Sequence, residues 1–274
     1  MRQASSRMTV STLSMSESSE PSLTWQEVIP TDGKVPRWLT RLRQTASGMN
    51  RQQLPLRRRI LKRLIDITGA IILLIMTIPI MAVAWLAIRL TSPGPVLFLQ
   101  TRVGLNKRQT CTTSWTSSET STCRRSAFGY GRPFTIYKLR TMYHVPNGEI
   151  PRQATVDDNR VTPVGRFLRR TRIDELPQLI NVIKGDMSLV GPRPECIEYM
   201  QGLTEQLPAY AQRLCLKPGL TGIAQIEGGY ANSKESYERK LELDLIYLRH
   251  CCIRNDLKIL LRTAKVVLTG FGAV

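Results

Sequence analysis

From Ile67 to Ile88 the chain runs 22 residues without a charge, with Ile71, Ile72, Leu73, Leu74, Ile75, Met76, Ile80, Val83, Trp85 and Leu86 among them. It is the one membrane-length stretch in the sequence. At about 1.5 Å per residue a straight helix of this length would be ~33 Å long, just enough to cross the hydrocarbon core. Two features argue against a simple crossing. Pro79 lies near the middle, where it removes a backbone hydrogen bond and crowds the preceding turn, so a kink or break is expected there. Both flanks are basic, with Arg57, Arg58, Arg59, Lys62 and Arg63 before and Arg89, Arg102, Lys107 and Arg108 after. Lys and Arg beside a membrane segment favour the cytoplasmic side, so both ends want the same face. A re-entrant, helix-break-helix hairpin satisfies that demand; a single kinked span and a buried core helix are the alternatives.

Elsewhere the pattern is that of a soluble domain with a polar leader. Residues 5–24 hold eleven Ser or Thr out of twenty, and no sustained apolar period follows to about residue 55, which predicts a disordered N-terminal tail over residues 1–55. No apolar run of signal-peptide type follows the start, so the bulk of the chain is expected inside the cell. Residues 56–90 are expected to form the basic-flanked membrane segment, and residues 91–274 a soluble domain, opened by the turn Thr91-Ser92-Pro93-Gly94-Pro95. Val96 to Gln100 and Phe134 to Leu139 read as short strands. Between them, ten Ser or Thr in residues 110–122 read as a surface loop. Thr162-Pro163 predicts a helix start with Val164, Phe167 and Leu168 on one face. Asp174 opens the next helix, with Leu176, Leu179, Ile180 and Ile183 on its apolar side and Gly185 as its stop. Asn255 can cap a last helix with Leu257, Leu260, Leu261, Ala264 and Leu268 on one face and Lys258, Arg262 and Lys265 elsewhere. Such a basic amphipathic helix can lie on an acidic membrane or pack on the domain core.

Composition narrows the partners. The 274 residues carry 39 Lys and Arg against 21 Asp and Glu, a formal charge of +18, with 42% hydrophobic residues. That length allows one or two domains, and that balance excludes a disordered polycation. Anionic partners are expected; nucleic acid, an acidic membrane and phosphorylated small molecules all fit the charge. The six cysteines form no CxxC pair, and with only His144 and His250 to supplement them neither a zinc site nor a disulfide framework is expected.

The densest chemistry is Arg160, Thr162, Arg166, Arg169, Arg170, Arg172, Asp174, Glu175 and Pro177. Five arginines within thirteen residues precede two adjacent carboxylates. Arginine forks bind phosphate oxygens in bidentate fashion, which makes this a diphosphate cradle candidate. A carboxylate in the first turn of a helix is held ionised, which suits a nucleophile or a metal ligand, though Asp-Glu at a helix start is also a common cap. Gly191-Pro192-Arg193-Pro194-Glu195 fixes the backbone on both sides of Arg193, and a rigid loop binds phosphate at lower entropic cost. Lys217-Pro218-Gly219-Leu220-Thr221-Gly222 is a second basic turn. Lys138 and Arg140, two apart on a predicted strand, are expected on the same side. No P-loop, GxGxxG or GxSxG pattern occurs.

In this order the residues resemble the bacterial sugar transferases, the small monotopic polyprenyl-phosphate glycosyl-1-phosphate transferases. The matching pieces are Lys62-Arg63 with Asp66, Gln100, Arg102 and Gly104, Phe134 to Met142, Thr162 to Arg166, and Arg172-Ile173-Asp174-Glu175-Leu176-Pro177-Gln178. They continue through Asn181-Val182, Gly185 to Pro194, Lys217 to Gly222, Leu241 to Asp244, Tyr247 and Asp256 to Ile259. The resemblance spans about residues 56–274. It implies an α+β, mostly helical monotopic membrane protein with a Pro-broken re-entrant helix at Pro79, surface amphipathic helices and a small β element. It also implies transfer of a sugar-1-phosphate from a nucleotide sugar, UDP-linked by expectation, to a polyprenyl phosphate, starting a surface or exported glycan.

Carried onto this chain, Asp174 would be the nucleophile that forms a covalent phosphosugar intermediate and Glu175 the carboxylate that helps bind Mg²⁺. Arg193, Arg172, Lys138 and Arg140 would contact substrate phosphate. The expected partners are the nucleotide-sugar donor, the polyprenyl phosphate, the lipid bilayer and a second copy of the chain, with no nucleic acid. The expected place is the bacterial inner membrane with the catalytic domain on the cytoplasmic face. Two departures stand out: Ile78 replaces the serine usual before the hairpin proline, and an insertion at about 109–131 interrupts a normally short turn. The alternative is a non-catalytic basic membrane-surface protein that binds acidic lipid or nucleic acid.

Overall fold

The computed structural model describes residues 56–106, 130–144, 158–228 and 233–269. The tail expected over residues 1–55 lies outside them, as does the 109–131 insertion apart from its last two residues. The apolar stretch is one helix, α1 (Leu56–Thr91), followed by strands β1 (Leu97–Val103) and β2 (Pro133–Leu139). Then come α2 (Pro163–Thr171), a 3-10 turn (Ile173–Glu175), α3 (Gln178–Lys184), β3 (Ser188–Val190) and α4 (Ile197–Gln206). A second 3-10 segment (Pro208–Cys215), β4 (Gly219–Thr221), α5 (Ile223–Glu227), α6 (Lys234–Arg249) and α7 (Ile253–Thr269) complete the order. β1 and β2 pair antiparallel, from Leu97 opposite Leu139 to Val103 opposite Pro133; β3 and β4 pair in parallel. The arrangement is helix-dominated α+β.

α1 is helical at every residue from Leu56 to Thr91, Pro79 included, so the expected break is not an unwound segment. By length and composition it is able to cross a membrane. The Pro79 ring leaves the Ile75 carbonyl without its helical donor. The serine hydroxyl missing at position 78 has a counterpart one residue earlier, where Thr77 Oγ1 donates to the Leu73 carbonyl at 2.7 Å. The middle of α1 is bare, with Ile75, Met76, Ile78, Ile80 and Val83 all exposed.

Both ends of α1 hold the same body. Before Pro79, Arg63 donates to the carbonyls of Val182 at 2.6 Å and Ile183 at 2.7 Å, satisfying the open C-terminal end of α3. Asp66 accepts from Ser188 Oγ and the Leu189 amide, both at 3.0 Å, and Lys62 pairs with Asp256 at 2.7 Å. After Pro79, Ala84 and Ile88 pack with Val96, Leu139 and Leu168. The main core gathers Ala70, Ile136, Leu179, Val182, Leu189, Leu243 and Ile259, one layer each from α1, β2, α3, β3, α6 and α7. At roughly 1.5–3 kcal/mol per buried aliphatic side chain, this shared core joins the α1 base to the domain.

Several local expectations hold, and some need correcting. Thr162 caps α2, accepting from the Gly165 amide at 2.8 Å, and Gly185 ends α3 at φ 93°, a conformation that favours glycine. Phe167 and Ile180, expected on buried faces, point outward instead, because α2 and α3 are short and only one row of each meets the core. Asn255 lies inside the first turn of α7 rather than before it and donates to the His250 carbonyl at 2.8 Å. α7 packs on the core through the buried Ile259, while Leu257 and Leu261 are exposed. Cys215 is disulfide-bonded, which the cysteine pattern did not lead one to expect, while Cys196, Cys251 and Cys252 form no disulfide.

Candidate active site

The two carboxylates are placed by a sharp turn between α2 and α3. Arg172 ends α2 in the left-handed region at φ 58°, ψ 17°, the one non-glycine residue with positive φ among those described. That conformation costs a side-chain-bearing residue about 1–2 kcal/mol, and here the Arg172 amide, bonded to the Arg169 carbonyl at 3.1 Å, helps hold it. The chain leaves in a new direction, so Asp174 and Glu175 sit in a 3-10 turn ahead of α3 and neither caps it: Pro177 holds the cap position with no side-chain bond. β2 is tied to α3 by Asn181, which accepts from the Tyr137 amide at 3.1 Å and donates to the Thr135 carbonyl at 2.7 Å. That tie brings Lys138 alongside the carboxylates.

The pair is buried, at 7% and 8% exposure, and used unequally. Glu175 Oε1 takes Arg193 Nη2 at 2.6 Å and Lys138 Nζ at 3.2 Å, and Oε2 takes Arg193 Nη1 at 3.3 Å. Burial alone would raise its pKa, but the Arg193 and Lys138 charges outweigh burial and hold it well below the usual range. Asp174 makes no hydrogen bond or ion pair among the described residues. Burial pushes its pKa up to about 6 against the pull of Lys138, and the Glu175 charge adds to the rise. Lys138 is lowered by burial despite Glu175, and Arg193 is raised, first by Glu175. Six charged groups thus meet here: the two acids, Lys138 and Arg193, with Arg169 and Arg172 acting at longer range.

Of the residues expected to contact phosphate, Lys138, Arg172 and Arg193 are brought together and Arg140 is not. The parity argument for Arg140 fails because β2 ends at Leu139 and the chain turns. The Arg140 guanidinium, 6% exposed, is spent on the Ser92 carbonyl and hydroxyl at 2.7 Å each and on the Pro93 carbonyl at 2.8 Å. It clasps the turn that leads out of α1. Arg169 donates from Nε to Thr141 Oγ1 at 2.9 Å. Arg213 and Tyr210, which no sequence pattern singled out, stand behind the Arg193 loop.

Among the described residues no three His, Cys, Asp or Glu side chains converge, so none of them forms an all-protein metal cage. Two adjacent carboxylates nevertheless fit the way Mg²⁺ is commonly held, by one or two acids with phosphate oxygens completing the shell. Glu175 Oε2, with its single long contact, and the Asp174 oxygens are the ones with spare lone pairs. Chemically the arrangement offers an ionisable, unpartnered oxygen nucleophile beside a cationic wall, in a partly dry setting where charges act strongly.

The bacterial sugar transferase family matches residues 57–270. A UDP-glucose:undecaprenyl-phosphate glucose-1-phosphate transferase of Caulobacter vibrioides is 41% identical over 214 residues, 77% of this chain and 71% of the relative. A UDP-N-acetylgalactosamine-undecaprenyl-phosphate N-acetylgalactosaminephosphotransferase of Aeromonas hydrophila is 38% identical over 78% of this chain but only 45% of its own length. An uncharacterized sugar transferase of Bacillus subtilis is 41% identical over 78% of this chain and 90% of its own.

Proposed function

The chain belongs to the bacterial sugar transferase family, and from that premise we propose that it moves a sugar-1-phosphate from a UDP-sugar to a polyprenyl phosphate. The observation that carries the reading is the unequal pair. Glu175 is neutralised by Arg193 and Lys138, while among the described residues no side chain bonds the Asp174 oxygens beside it.

In the proposed reaction an Asp174 oxygen attacks the sugar-proximal phosphorus. The bond from that phosphorus to the bridging oxygen breaks, and UMP departs with the electron pair. An oxygen of polyprenyl phosphate then attacks the same phosphorus, returning the carboxylate and forming polyprenyl diphosphate-sugar. Arg193 and Lys138 face the developing phosphate charge, and Arg172 adds to the positive field. Mg²⁺, when bound at Glu175 and Asp174, would offset part of the diphosphate charge. At pH 7 a carboxyl with a pKa of about 6 is mostly ionised yet basic enough to be a useful nucleophile.

The same reading puts the bare middle of α1 in the bilayer as a re-entrant helix bent at Pro79, with both basic flanks on the cytoplasmic face of the inner membrane. Support comes from the two ends of α1 holding one domain and from exposed Phe167, Leu257 and Leu261 among arginines and lysines. Relatives that match this chain name different donor sugars, glucose and N-acetylgalactosamine, so the donor is a matter for assay. The assay is UMP release by purified protein in detergent from a panel of UDP-sugars with undecaprenyl phosphate and Mg²⁺. Trapping of labelled sugar phosphate on the wild type and not on Asp174→Asn is expected. Failure to release UMP from every donor would overturn the reading.

A further inference from the structure

The loop that carries Arg193 cannot support itself: Pro192 and Pro194 have no N–H to donate. Its four consecutive carbonyls are instead each held from outside. Pro192 O accepts from the Gly219 amide at 2.8 Å and Glu195 O from the Val103 amide at 2.9 Å. Pro194 O accepts from Arg102 Nη1 at 3.3 Å and Arg193 O from Arg213 Nη2 at 3.1 Å. The contact at Arg193 itself is the one made by a buried charge.

Arg213 is 4% exposed and uses its whole fork. Nε donates to Asp244 at 2.8 Å, Nη1 to Glu195 at 3.2 Å and Nη2 to the Arg193 carbonyl, while the guanidinium lies 4.5 Å over the Tyr210 ring. Tyr210 in turn donates to Glu195 at 3.0 Å. Two carboxylates surround one guanidinium, with Lys240 acting on both and Arg102 on Glu195 as further positive charge. The cavity between this cluster and the loop is about 10 Å³, lined by Arg193, Glu195, Met200, Tyr210 and Arg213 among others, room for a single water at most. No substrate reaches Arg213, so any effect it has on substrate passes through the loop.

We propose that Arg213 is a positioning residue for the donor's diphosphate: it grips the backbone of Arg193 and so sets that guanidinium at the height of Glu175 and Asp174. The inference rests on the proposed function, in which Arg193 meets the diphosphate. Lysine cannot replace it, because a single ammonium can pair with Asp244 or Glu195 but cannot span both and the carbonyl in one plane.

The test measures UDP binding by calorimetry on the full detergent-purified chain, with melting temperature in parallel and UMP release assayed separately. Arg213→Lys is expected to fold and to weaken UDP binding about tenfold, the scale of one charge-assisted hydrogen bond. It should leave the KM for undecaprenyl phosphate unchanged. If Arg213 acts through Arg193, adding Arg213→Lys to Arg193→Ala produces no further loss. Tyr210→Phe, which removes only the bond to Glu195, is expected to weaken UDP binding about two- to threefold. Wild-type affinity in a folded Arg213→Lys overturns the proposal, as does a full additional loss in the double variant. If Arg213→Lys does not fold, unchanged affinity in Tyr210→Phe overturns it. A wild type that binds UDP but transfers from no donor overturns the function and leaves the positioning result standing; one that binds no UDP overturns both.

Discussion

Two buried clusters in this molecule are made from the same ingredients and finished differently. Around Arg213, both acids are claimed: Asp244 and Glu195 each take a donor from the guanidinium, and Tyr210 adds another to Glu195. Around Arg193 and Lys138, two cations converge on Glu175 and none bonds Asp174. A closed cluster fixes geometry, since every member loses on leaving it. An open one keeps an acid in reserve: burial raises the pKa of Asp174 as it raises that of Asp244 in the closed cluster, so the two clusters differ in bonding and not in desolvation.

The comparison is broken most sharply at its open end. Asp174→Asn should abolish transfer by about 10⁴-fold or more while leaving the fold intact. Wild-type Asp174 has a higher pKa folded than unfolded, so its contribution to stability falls as pH rises through about 6. The neutral Asn variant should therefore melt no lower than wild type above that pH, by scanning calorimetry. Arg213→Met breaks the closed cluster and leaves two acids buried without their cation. A loss of about 3–5 kcal/mol in denaturant unfolding is expected.

A third measurement sharpens the contrast by titration. With the nucleophile at about 6, kcat/KM should fall about tenfold per unit as pH drops below that value, because the protonated carboxyl cannot attack. Glu175, held well below the usual range, should stay ionised over the same interval and add no second limb there. The smallest effect belongs to Arg140→Ala. If that arginine clasps the α1 exit turn, the variant should lose about 1–3 kcal/mol of stability with the donor KM unchanged.

What could be read in advance follows from how local each signal is. Thr162-Pro163 and Gly185 act within their own turns, so the sequence announces them. The bend at Arg172 was illegible, because nothing but the surrounding structure makes an arginine adopt φ 58°. Asp174 and Glu175 were visible as a couplet, yet their division of labour depends on Lys138 and Arg193, 36 positions before and 19 after Asp174. Arg140 departs from the side Lys138 shares because alternation holds only while a strand lasts, and β2 ends at Leu139. Arg213 carries no sequence signal, because its three acceptors come from residues 193, 195 and 244, and no spacing along the chain connects them. At Pro79 a kink or a break is expected from sequence; α1 is helical at every residue there, which sets aside an unwound break and leaves the kink.

Arg63 ties the base of α1 to the last carbonyls of α3, the helix whose opposite end adjoins Asp174. In the proposed reading the apolar helix and the Asp174 oxygen are two ends of one short lever. Acyl chains too long or too short for α1 would load that lever, so on the proposed function turnover is expected to respond to lipid tail length with no ligand having changed.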